Sequence, residues 1–538
     1  MMNVPLTVGS LLERAEKFFP KKEVISRTLS GIHRLTYREI GERTRKLASA
    51  LEKLGIKKGD RVGTFAWNHH RHLEIYFAAP GMGTVLHTIN IRLSAEHISY
   101  IINHAEDKVI FVDEDLLPLI ERVKNQLKTV EAFIIMTDKD DLPSTSLENV
   151  YHYEKLIEQA SPDYLFVKDI DENEAAGMCY TSATTGKPKG VVYSHRAIVL
   201  HSFAFGLADT AALSENDICM PVVPMFHANA WGMPFAATWF GTTQVLPGPQ
   251  FTPKLLAELI EKEKVTLTAG VPTIWLGLLN ELEKGEYDTS SLRSIICGGS
   301  AAPRGMIKAF ESKYQIPFLH AYGMTETTPL ATVSRLKSYQ SNLDDEAILD
   351  IRSKQGLLVP GLEMKVIAAN GEVNWDGKEM GELLLRGPWI ADEYYKDERS
   401  SEAFHDGWLH TGDVATVDEE GMIKLVDRTK DLIKSGGEWI SSVDLENALM
   451  AHESVFEASV VAVPHKEWQE RPVACVVLKE GFQELISKEE LLEFIAPQFA
   501  KWWLPDDIVF MKDIPKTSVG KFLKQALREQ LKDHLVQN

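Results

Sequence analysis

Short runs rich in β-branched and aromatic residues alternate with helical patterns through the first half of the chain, and this alternation restricts the possible folds more than any other feature. A strand that is followed by a helix and then by another strand pairs in parallel, because the helix crosses back over one face of the sheet. We therefore predict an α/β fold whose large N-terminal domain consists of layered βαβ sheets. The clearest strand patterns are 62–67, 108–112, 130–136 and 265–269, and the clearest helical patterns are 37–54 and 253–263.

After about residue 360 the pattern changes to short β-segments separated by tight turns. Glycine after asparagine, aspartate or glutamate is typical of such turns. This pattern of short β-segments and tight turns predicts a barrel-like β-subdomain beside the layered sheets. The turn signals are Asn370-Gly371, Asp376-Gly377, Asp406-Gly407 and Glu420-Gly421.

The last part of the chain has the pattern of a small α+β domain. Strand patterns at 458–463 and 473–478 precede a helix that a capping box opens at Ser487 and Glu490. A polar segment that begins at Asp427 separates this region from the rest. These changes predict three units: a large domain over 1–427, a linker over 428–433 and a small α+β domain over 434–538.

Residues 218–253 contain no aspartate, glutamate, lysine or arginine. The stretch is long enough to cross a membrane, but prolines and glycines interrupt it, and lipid offers no partner for the backbone groups that they free. We interpret it as uncharged protein interior. The sequence therefore predicts no transmembrane segment, and it does not decide on peripheral membrane contact.

Charge and cysteine content exclude several classes of protein. A formal net charge of −19 over 538 residues opposes binding of nucleic acid through its phosphates. The four cysteines form no CxxC pair and no zinc-ligand spacing, which favours a reducing compartment and hence the cytoplasm. Residues 1–19 carry charged side chains within the apolar spacing of an amphipathic helix, unlike a signal peptide.

The segment 180–190, YTSATTGKPKG, concentrates hydroxyls, glycines and lysines in one loop. Such a loop can turn its amides and side chains onto a polyphosphate. It is not a Walker A loop, because three residues rather than four separate Gly186 from Gly190 and no Lys-Ser or Lys-Thr pair follows. A surface turn rich in small residues is the alternative interpretation.

Two further turns carry candidate ligands for a nucleotide. Tyr322 to Glu326 places an aromatic ring, which can stack on adenine, close to a carboxylate, which can hold magnesium. Thr411-Gly412-Asp413 presents a carboxylate that can accept both hydroxyls of a ribose. Each of these turns, taken alone, is more often purely structural.

The C-terminal third contributes charged segments at 427–431 and 434–439, and Lys521 behind a glycine turn. A charge run is usually a solvated surface, and Lys521 could simply begin the last helix. The order in which all these segments occur is more informative than any one of them.

Taken in order, the segments resemble the motifs of the adenylate-forming superfamily of acyl-CoA synthetases, luciferases and peptide-synthetase adenylation domains. The resemblance covers essentially the whole chain; Ala183 stands where the family usually has glycine. Residues 224–231 and 434–442 are similar to the fatty acyl-CoA synthetase branch, with its medium-chain and long-chain members.

The resemblance implies a reaction in two steps. A carboxylic acid, expected to be a medium- or long-chain fatty acid, attacks the α-phosphorus of ATP to give acyl-AMP and pyrophosphate, and the thiol of coenzyme A then displaces AMP. It also implies a magnesium ion held by Thr181 and Glu326. The implied catalytic residues are Lys521, Arg428, Thr181 and Glu326. The implied nucleotide-binding residues are Thr181, Ser182, Thr184, Thr185, Gly186, Lys189, His320, Ala321, Tyr322, Gly323, Thr325, Glu326, Asp413, Arg428, Lys430 and Lys434.

Family members rotate their small domain between the two steps, and Lys430 resembles the hinge residue. The resemblance further implies a tryptophan gate at Trp231 on an acyl tunnel, and it suggests a homodimer. The expected contacts to the acid and to coenzyme A are His227, Ala228, Trp231, Gly298, Gly299, Gly436, Gly437 and Trp439.

Other functions remain open at this point. Ligases for aryl or sulfur-containing acids share these motifs, as do peptide-synthetase adenylation domains, although the latter should carry an aspartate near His227. An α/β-hydrolase is disfavoured because Gly298 to Ala302 lacks the final glycine of a nucleophile elbow. A binding module without activity would leave Lys521, Glu326 and Asp413 without a shared purpose.

Overall fold

The structure is a computed structural model that describes residues 1–181, 186–436, 438–483, 485–517 and 520–535. Sixteen strands belong to the layered part of the large domain. They are β1 (Glu23–Arg27), β2 (Ile32–Thr36), β3 (Arg61–Phe65), β4 (Val85–Thr88), β5 (Asp107–Asp113), β6 (Ala132–Met136), β7 (Val150–His152), β8 (Ala175–Tyr180), β9 (Gly190–Ser194), β10 (Ile218–Pro221), β11 (Thr243–Leu246), β12 (Leu267–Gly270), β13 (Ser294–Cys297), β14 (Phe318–Gly323), β15 (Leu330–Val333) and β16 (Leu357–Leu358).

These strands form two sheets. One sheet has the order β7-β6-β5-β3-β4-β8-β9, and the other has the order β16-β15-β14-β13-β12-β10-β11-β1-β2. Pairing is parallel except at the ends, where β2, β9, β15 and β16 run antiparallel to their neighbours. The predicted layered α/β architecture is confirmed.

Helices cover the faces of both sheets. The rings of Tyr76 and Phe235 are both buried and stack with their centroids 5.0 Å apart. Tyr76 lies on a helix that covers one sheet, and Phe235 lies on a helix that covers the other. Aromatic rings bury a large apolar area, so this contact is part of the core that holds the layers together. The helices are α1 (Val8–Phe18), α2 (Tyr37–Lys53), α3 (His70–Gly81), α4 (Ala95–Ala105), α5 (Leu117–Val123), α6 (Tyr153–Glu158), α7 (His195–Gly206), α8 (Ala228–Trp231), α9 (Met233–Phe240), α10 (Pro253–Glu263), α11 (Pro272–Lys284), α12 (Arg304–Lys308) and α13 (Asp345–Ser353).

Local sequence signals explain where several elements begin. Thr36 caps α2 through a full capping box with Glu39, which satisfies backbone N–H groups that the first turn leaves free. Proline at the start of α10 suits a position whose N–H has no helical partner. The helical patterns predicted at 37–54 and 253–263 therefore match α2 and α10 within one residue.

The region after residue 360 forms a separate six-stranded antiparallel sheet with the order β18-β17-β19-β21-β20, and β22 pairs with β21. This is the β-rich subdomain that the turn signals predict. Its elements are β17 (Glu363–Ala368), β18 (Gly371–Glu372), β19 (Gly381–Arg386), α14 (Ser400–Ala403), β20 (Phe404–His405), β21 (Trp408–Val417) and β22 (Ile423–Arg428).

The C-terminal region is the expected smaller α+β domain, with a five-stranded sheet. Ser487 caps its second helix by accepting the N–H of Glu490, at the position that the capping box predicts. The elements are β23 (Ile433–Ser435), β24 (Glu438–Ile440), α15 (Ser442–Met450), β25 (Val455–His465), β26 (Gln469–Leu478), α16 (Lys488–Ile495), β27 (Asp507–Phe510) and α17 (Lys524–Leu531).

The uncharged stretch 218–253 forms β10, α8, α9 and β11 and is largely buried inside the large domain. Over the described residues, no helix combines the length and the apolar character that crossing a membrane requires. The interpretation of this stretch as protein interior is confirmed.

Candidate active site

A cavity of about 590 Å³ lies where the two domains meet. Much of its wall follows the carboxyl ends of strands: Thr181 follows β8, Val223 follows β10, Val271 follows β12 and Gly298 follows β13. Parallel strands end at the same edge of a sheet, which is where α/β proteins bind ligands. The topology thus gathers residues that are distant in sequence.

Most of the predicted site residues meet here. Asp413 and His320 line an adjoining cavity of about 240 Å³ that shares Tyr322, Arg428 and Lys521 with the first. The predicted residues that line the larger cavity are Thr181, Lys189, His227, Ala228, Trp231, Gly298, Gly299, Ala321, Tyr322, Gly323, Thr325, Glu326, Arg428, Lys430 and Lys521.

Four described residues from the prediction, Gly186, Lys434, Gly436 and Trp439, line neither cavity. Trp439 is 43% exposed on the small domain, with the Lys434 ammonium 5.5 Å from the centroid of its indole ring. Gly436 lies against Trp468 and donates its N–H to the carbonyl of that residue. Gly186 borders the cavity through Arg399 rather than directly. Ser182, Thr184, Thr185 and Gly437 lie outside the described residues.

The predicted phosphate loop connects β8 and β9, which pair antiparallel. Its base is closed by two hydrogen bonds between Thr181 and Lys189: the Thr181 N–H donates to the Lys189 carbonyl (2.9 Å), and the Lys189 N–H donates to the Thr181 hydroxyl (3.1 Å). A loop held in this way keeps a hydroxyl and an ammonium group at one mouth of the cavity.

Tyr394 links this loop to Glu326. Its hydroxyl donates to Glu326 Oε1 (2.6 Å), and the Lys189 ammonium lies 4.2 Å from the centroid of its ring. Burial lowers the pKa of Lys189, and the Glu326 carboxylate opposes that shift. No sequence motif marks Tyr394, so this link was not predicted.

Glu326 and Thr181, the predicted magnesium ligands, both line the larger cavity. Among the described residues, no group of three or more histidine, cysteine, aspartate or glutamate side chains could hold a metal by itself. Magnesium bound with a nucleotide takes one or two carboxylates and substrate phosphates rather than a cage of protein ligands. One carboxylate and one hydroxyl therefore suit a magnesium ion only when the phosphates of a nucleotide supply most of its other ligands.

The predicted adenine and ribose ligands are in direct contact. The Tyr322 hydroxyl donates to Asp413 Oδ2 (2.6 Å), and Arg428 Nε lies 3.5 Å from Asp413 Oδ1. Asp413 of β21 and Arg428 of β22 are paired in the sheet, which fixes their separation. Asp413 raises the pKa of Arg428, and burial together with Asp413 raises that of Tyr322.

Gly323 is required beside Tyr322 for steric reasons. A β-carbon at this position would lie 1.8 Å from the carbonyl oxygen of Pro329, closer than nonbonded atoms can approach. The strand thus presents Tyr322 to the cavity with a backbone approach that only glycine permits.

Lys521 reaches the cavity from the small domain. Its Cε lies 3.5 Å from the position that a β-carbon would take on Gly299, and its N–H donates to the Thr517 hydroxyl (3.1 Å). Burial and then Arg428 lower the pKa of Lys521 to about 8. The cavity is therefore crowded with cations although the whole protein is strongly acidic.

The cavity also has apolar lining residues, and the uncharged stretch supplies several of them: Val223, Pro224, Ala228, Trp231 and Phe251. Burial lowers the pKa of His227 to about 3, so this side chain is neutral at physiological pH. The Trp231 indole lies 3.2 Å from the position of a β-carbon on Gly298, and a larger residue there would push it aside.

Residues 228–231, the short element α8, form a left-handed turn and not a right-handed helix. Their φ angles are 42°, 51°, 49° and 58°, a region that residues with a side chain seldom occupy in succession. The Asn229 side-chain oxygen accepts from Thr88 Oγ1 and Cys179 Sγ, both at 3.3 Å. Contacts with the sheet below therefore hold the strained turn that carries Trp231.

Asn68 anchors the segment before this turn, and sequence patterns did not single it out. Its side-chain amide donates to the carbonyls of Pro221 and Val223, both at 2.9 Å, and its side-chain oxygen accepts the N–H of Met225 (2.7 Å). Asn68 lies before α3, more than 150 positions from these partners. Only the fold could identify it.

We expect Asn68→Ala to lower the free energy of unfolding of the large domain by about 2–4 kcal/mol, because it leaves buried backbone groups without partners. Urea unfolding followed by circular dichroism measures the change. Asn216→Ala is the matched control, since the side chain of Asn216 is exposed. Equal stability of the two variants would contradict the anchoring role.

Comparison with known protein families matches both domains. The family model "AMP-binding enzyme" matches residues 12–395, and "AMP-binding enzyme C-terminal domain" matches residues 444–521.

Several curated proteins are similar over nearly their whole length. A long-chain-fatty-acid–CoA ligase of Thermus thermophilus is 51% identical, covering 99% of this chain and 97% of that protein. A 3-methylmercaptopropionyl-CoA ligase of Ruegeria lacuscaerulensis is 44% identical, covering 99% of each. A medium-chain-fatty-acid–CoA ligase of Ectopseudomonas oleovorans is 42% identical, covering 100% of this chain and 98% of that protein.

Solved structures share the fold. An anthranilate CoA ligase in complex with anthranoyl-AMP superposes with a TM-score of 0.88 at 23% identity, covering 99% of both chains. A fatty acyl CoA synthetase of Mycobacterium tuberculosis gives a TM-score of 0.71 at 26% identity, covering 98% of this chain and 99% of that one.

Proposed function

The chain belongs to the AMP-binding enzyme family, within the acyl-CoA synthetase branch of the adenylate-forming superfamily, and on this basis we propose that it activates a medium- or long-chain fatty acid with ATP and coenzyme A. One observation carries the choice of substrate: a single cavity has both cationic and apolar lining residues, and the uncharged stretch supplies several of the apolar ones. A fatty acid has two matching parts, an anionic carboxylate and an apolar tail. The relatives that act on long- and medium-chain fatty acids support the choice.

In the first step, a carboxylate oxygen of the acid forms a bond to the α-phosphorus of ATP, and the bond from that phosphorus to the pyrophosphate oxygen breaks. Two anions must approach each other, so the barrier is largely electrostatic. Lys521 and Arg428 lie on the cavity wall and can neutralise the carboxylate and the α-phosphate. Magnesium held by Glu326 and Thr181 would neutralise charge on the phosphates.

Tyr322, Asp413 and Lys189 have positioning roles in this proposal. Tyr322 stacks on the adenine, and Asp413 accepts the ribose hydroxyls. Lys189 and the loop at 182–186 hold the β- and γ-phosphates. Fixing both ends of the nucleotide holds the α-phosphorus in one position in the cavity, where the acid attacks it.

In the second step, the sulfur of coenzyme A bonds to the carbonyl carbon of the acyl-AMP, and AMP leaves. Lys521 occupies the cavity in this structure, whereas Gly436, Trp439 and Lys434 lie outside it. We propose that the small domain, residues 434–538, rotates on the linker 428–433 about Lys430 relative to the large domain, 1–427. That rotation removes Lys521 and brings the other segment, with Gly437, to the thiol.

We also propose a cytoplasmic homodimer. All four cysteines are buried and none is in a disulfide, as suits a reducing compartment. We infer the dimer from the resemblance to bacterial long-chain enzymes. Light scattering on the purified protein measures the molar mass in solution and so distinguishes a dimer from a monomer.

The proposal is tested by measuring pyrophosphate release with ATP, coenzyme A and a panel of acids. We expect saturated fatty acids between C6 and C18 to give the highest kcat/KM. A higher kcat/KM for 3-methylmercaptopropionate or benzoate would identify a ligase for sulfur-containing or aryl acids instead, a possibility that the Ruegeria relative raises. Inactivity with every acid would refute the proposal.

Trp231→Ala is expected to change chain-length preference. Each methylene that is buried contributes about 0.8 kcal/mol, so a deeper tunnel favours longer acids by about fourfold per carbon. The measurement is kcat/KM across the same C6 to C18 series. Trp375→Ala serves as the control, because Trp375 is 47% exposed and lies outside the cavity. An unchanged profile in Trp231→Ala would refute the role of the indole.

Lys521→Ala is expected to reduce ATP–pyrophosphate exchange by at least about 100-fold, because the charge that neutralises the reacting anions is lost. Thiolation of supplied acyl-AMP should stay within about twofold of the wild-type rate, since Lys521 leaves the cavity for that step. Lys516→Ala is a control from the same loop, because Lys516 pairs with Glu457 and Asp513 and does not line the cavity. Normal exchange in Lys521→Ala would contradict the assignment.

A further inference from the structure

Asp427 is a carboxylate that is buried at the boundary between the two domains. It precedes Arg428 on β22, and it is only 7% exposed. Its Oδ2 accepts the backbone N–H of Ser442 (3.1 Å) and also the Ser442 hydroxyl. Ser442 is the first residue of α15, so a carboxylate of the large domain lies at a helix N-terminus of the small domain, where the helix dipole stabilises negative charge.

Lys524 completes this buried cluster. Its ammonium lies 2.9 Å from Glu446 Oε1 and 4.0 Å from Asp427 Oδ1, and it also donates to the Ser442 hydroxyl. The side chains of Lys524, Glu446 and Asp427 are 12%, 9% and 3% exposed. Since water is largely excluded, the two carboxylates depend on this lysine and on the helix N-terminus for charge compensation.

The cluster is connected to Lys521 by a short and constrained piece of chain. Lys524 is three residues beyond Lys521 and begins α17. The Leu523 N–H donates to the Pro515 carbonyl (2.7 Å), and the Thr517 N–H donates to the Lys521 carbonyl (2.6 Å). With the loop tied in this way, fixing Lys524 against Asp427 also fixes where Lys521 enters the cavity.

Two ion pairs flank the cluster. Lys424 of β22 pairs with Asp444 of α15 (2.8 Å), and Asp431 of the linker pairs with Arg528 of α17. Both are more exposed than the cluster and contribute little individually. Asp427 is therefore the principal buried charge that the large domain offers to the small one at this contact.

We propose that Asp427 is a positioning residue that holds the small domain in the arrangement that places Lys521 in the cavity. The inference rests on the proposed two-step function. When the small domain rotates about Lys430, Asp427 stays with β22, while Ser442 and Lys524 move away. Glu446 and Lys524 travel together as a pair, so Asp427 is the member whose contacts exist only in the adenylate-forming arrangement.

Asp427→Asn tests the proposal with little change in shape. The amide keeps an acceptor for the Ser442 N–H but has no charge to hold Lys524. We expect ATP–pyrophosphate exchange to fall about tenfold, with thiolation of supplied acyl-AMP unchanged or faster. Glu420→Gln is the control, because it removes one exposed carboxylate of the same subdomain. Equal slowing of both steps would indicate a merely structural role and overturn the proposal.

A double mutant shows whether Asp427 acts through Lys521. If it does, Asp427→Asn should cause no further loss of exchange in a Lys521→Ala background, because the side chain that it positions is absent. A further tenfold loss in that background would mean that Asp427 acts by another route, and it would overturn the proposal.

The distance between the domains gives a readout that does not require activity. The four native cysteines are buried, so spin labels can be placed at Lys284→Cys and Glu493→Cys, two exposed positions on different domains. We expect Asp427→Asn to broaden the distribution of distances between the two labels, which pulsed electron paramagnetic resonance measures. An unchanged distribution overturns the proposal.

The failure of the proposed function and the failure of the positioning role give different results. A wild-type enzyme that is inactive with every acid refutes the proposed function, whereas a fully active Asp427→Asn variant refutes only the positioning role.

Discussion

The repulsion between like charges is the constraint that organises this molecule. A protein with a net charge of −19 must offer a cationic cavity to a carboxylate and a polyphosphate. Among the described residues, the larger cavity is lined by seven lysine or arginine side chains, including Lys189, Arg428 and Lys521, and by three carboxylates, those of Glu326, Glu382 and Glu402. Because burial lowers the pKa of Lys521 to about 8, a further cation there would be difficult to keep protonated.

Close backbone approach is the second requirement. A β-carbon on Gly323 would lie 1.8 Å from the Pro329 carbonyl oxygen, and one on Gly298 would lie 2.9 Å from the Ala321 carbonyl oxygen, so both positions disfavour a side chain. These contacts bring the strand ends, the aromatic residues and the strained turn at 228–231 into one wall. Asn68 and Asn229 satisfy buried polar groups there, so that the uncharged stretch can be both apolar and ordered.

Sequence patterns were sufficient for the architecture, and the family resemblance identified fifteen of the residues that line the larger cavity. Helical periodicity and capping signals identified α2 and α10 almost to the residue, and glycine-rich turns identified the antiparallel subdomain. Sequence patterns did not identify three residues whose partners are distant in sequence. Tyr394 bonds to Glu326, Asn68 bonds to the segment 221–225, and Arg399 bonds to the Lys187 carbonyl. A single tyrosine, asparagine or arginine carries no local signal of that kind.

The sequence alone determined which kinds of group are available and in which order: a loop rich in hydroxyls and lysines, an aromatic residue next to a carboxylate, a long uncharged stretch, and a lysine near the end. These are local properties, set by neighbours along the chain. Only the tertiary structure decided that Tyr322 bonds to Asp413 over 91 positions and that Asp427 contacts the first turn of α15. Such distances follow from strand order, register and the placement of the two domains, which depend on the packing of the entire chain.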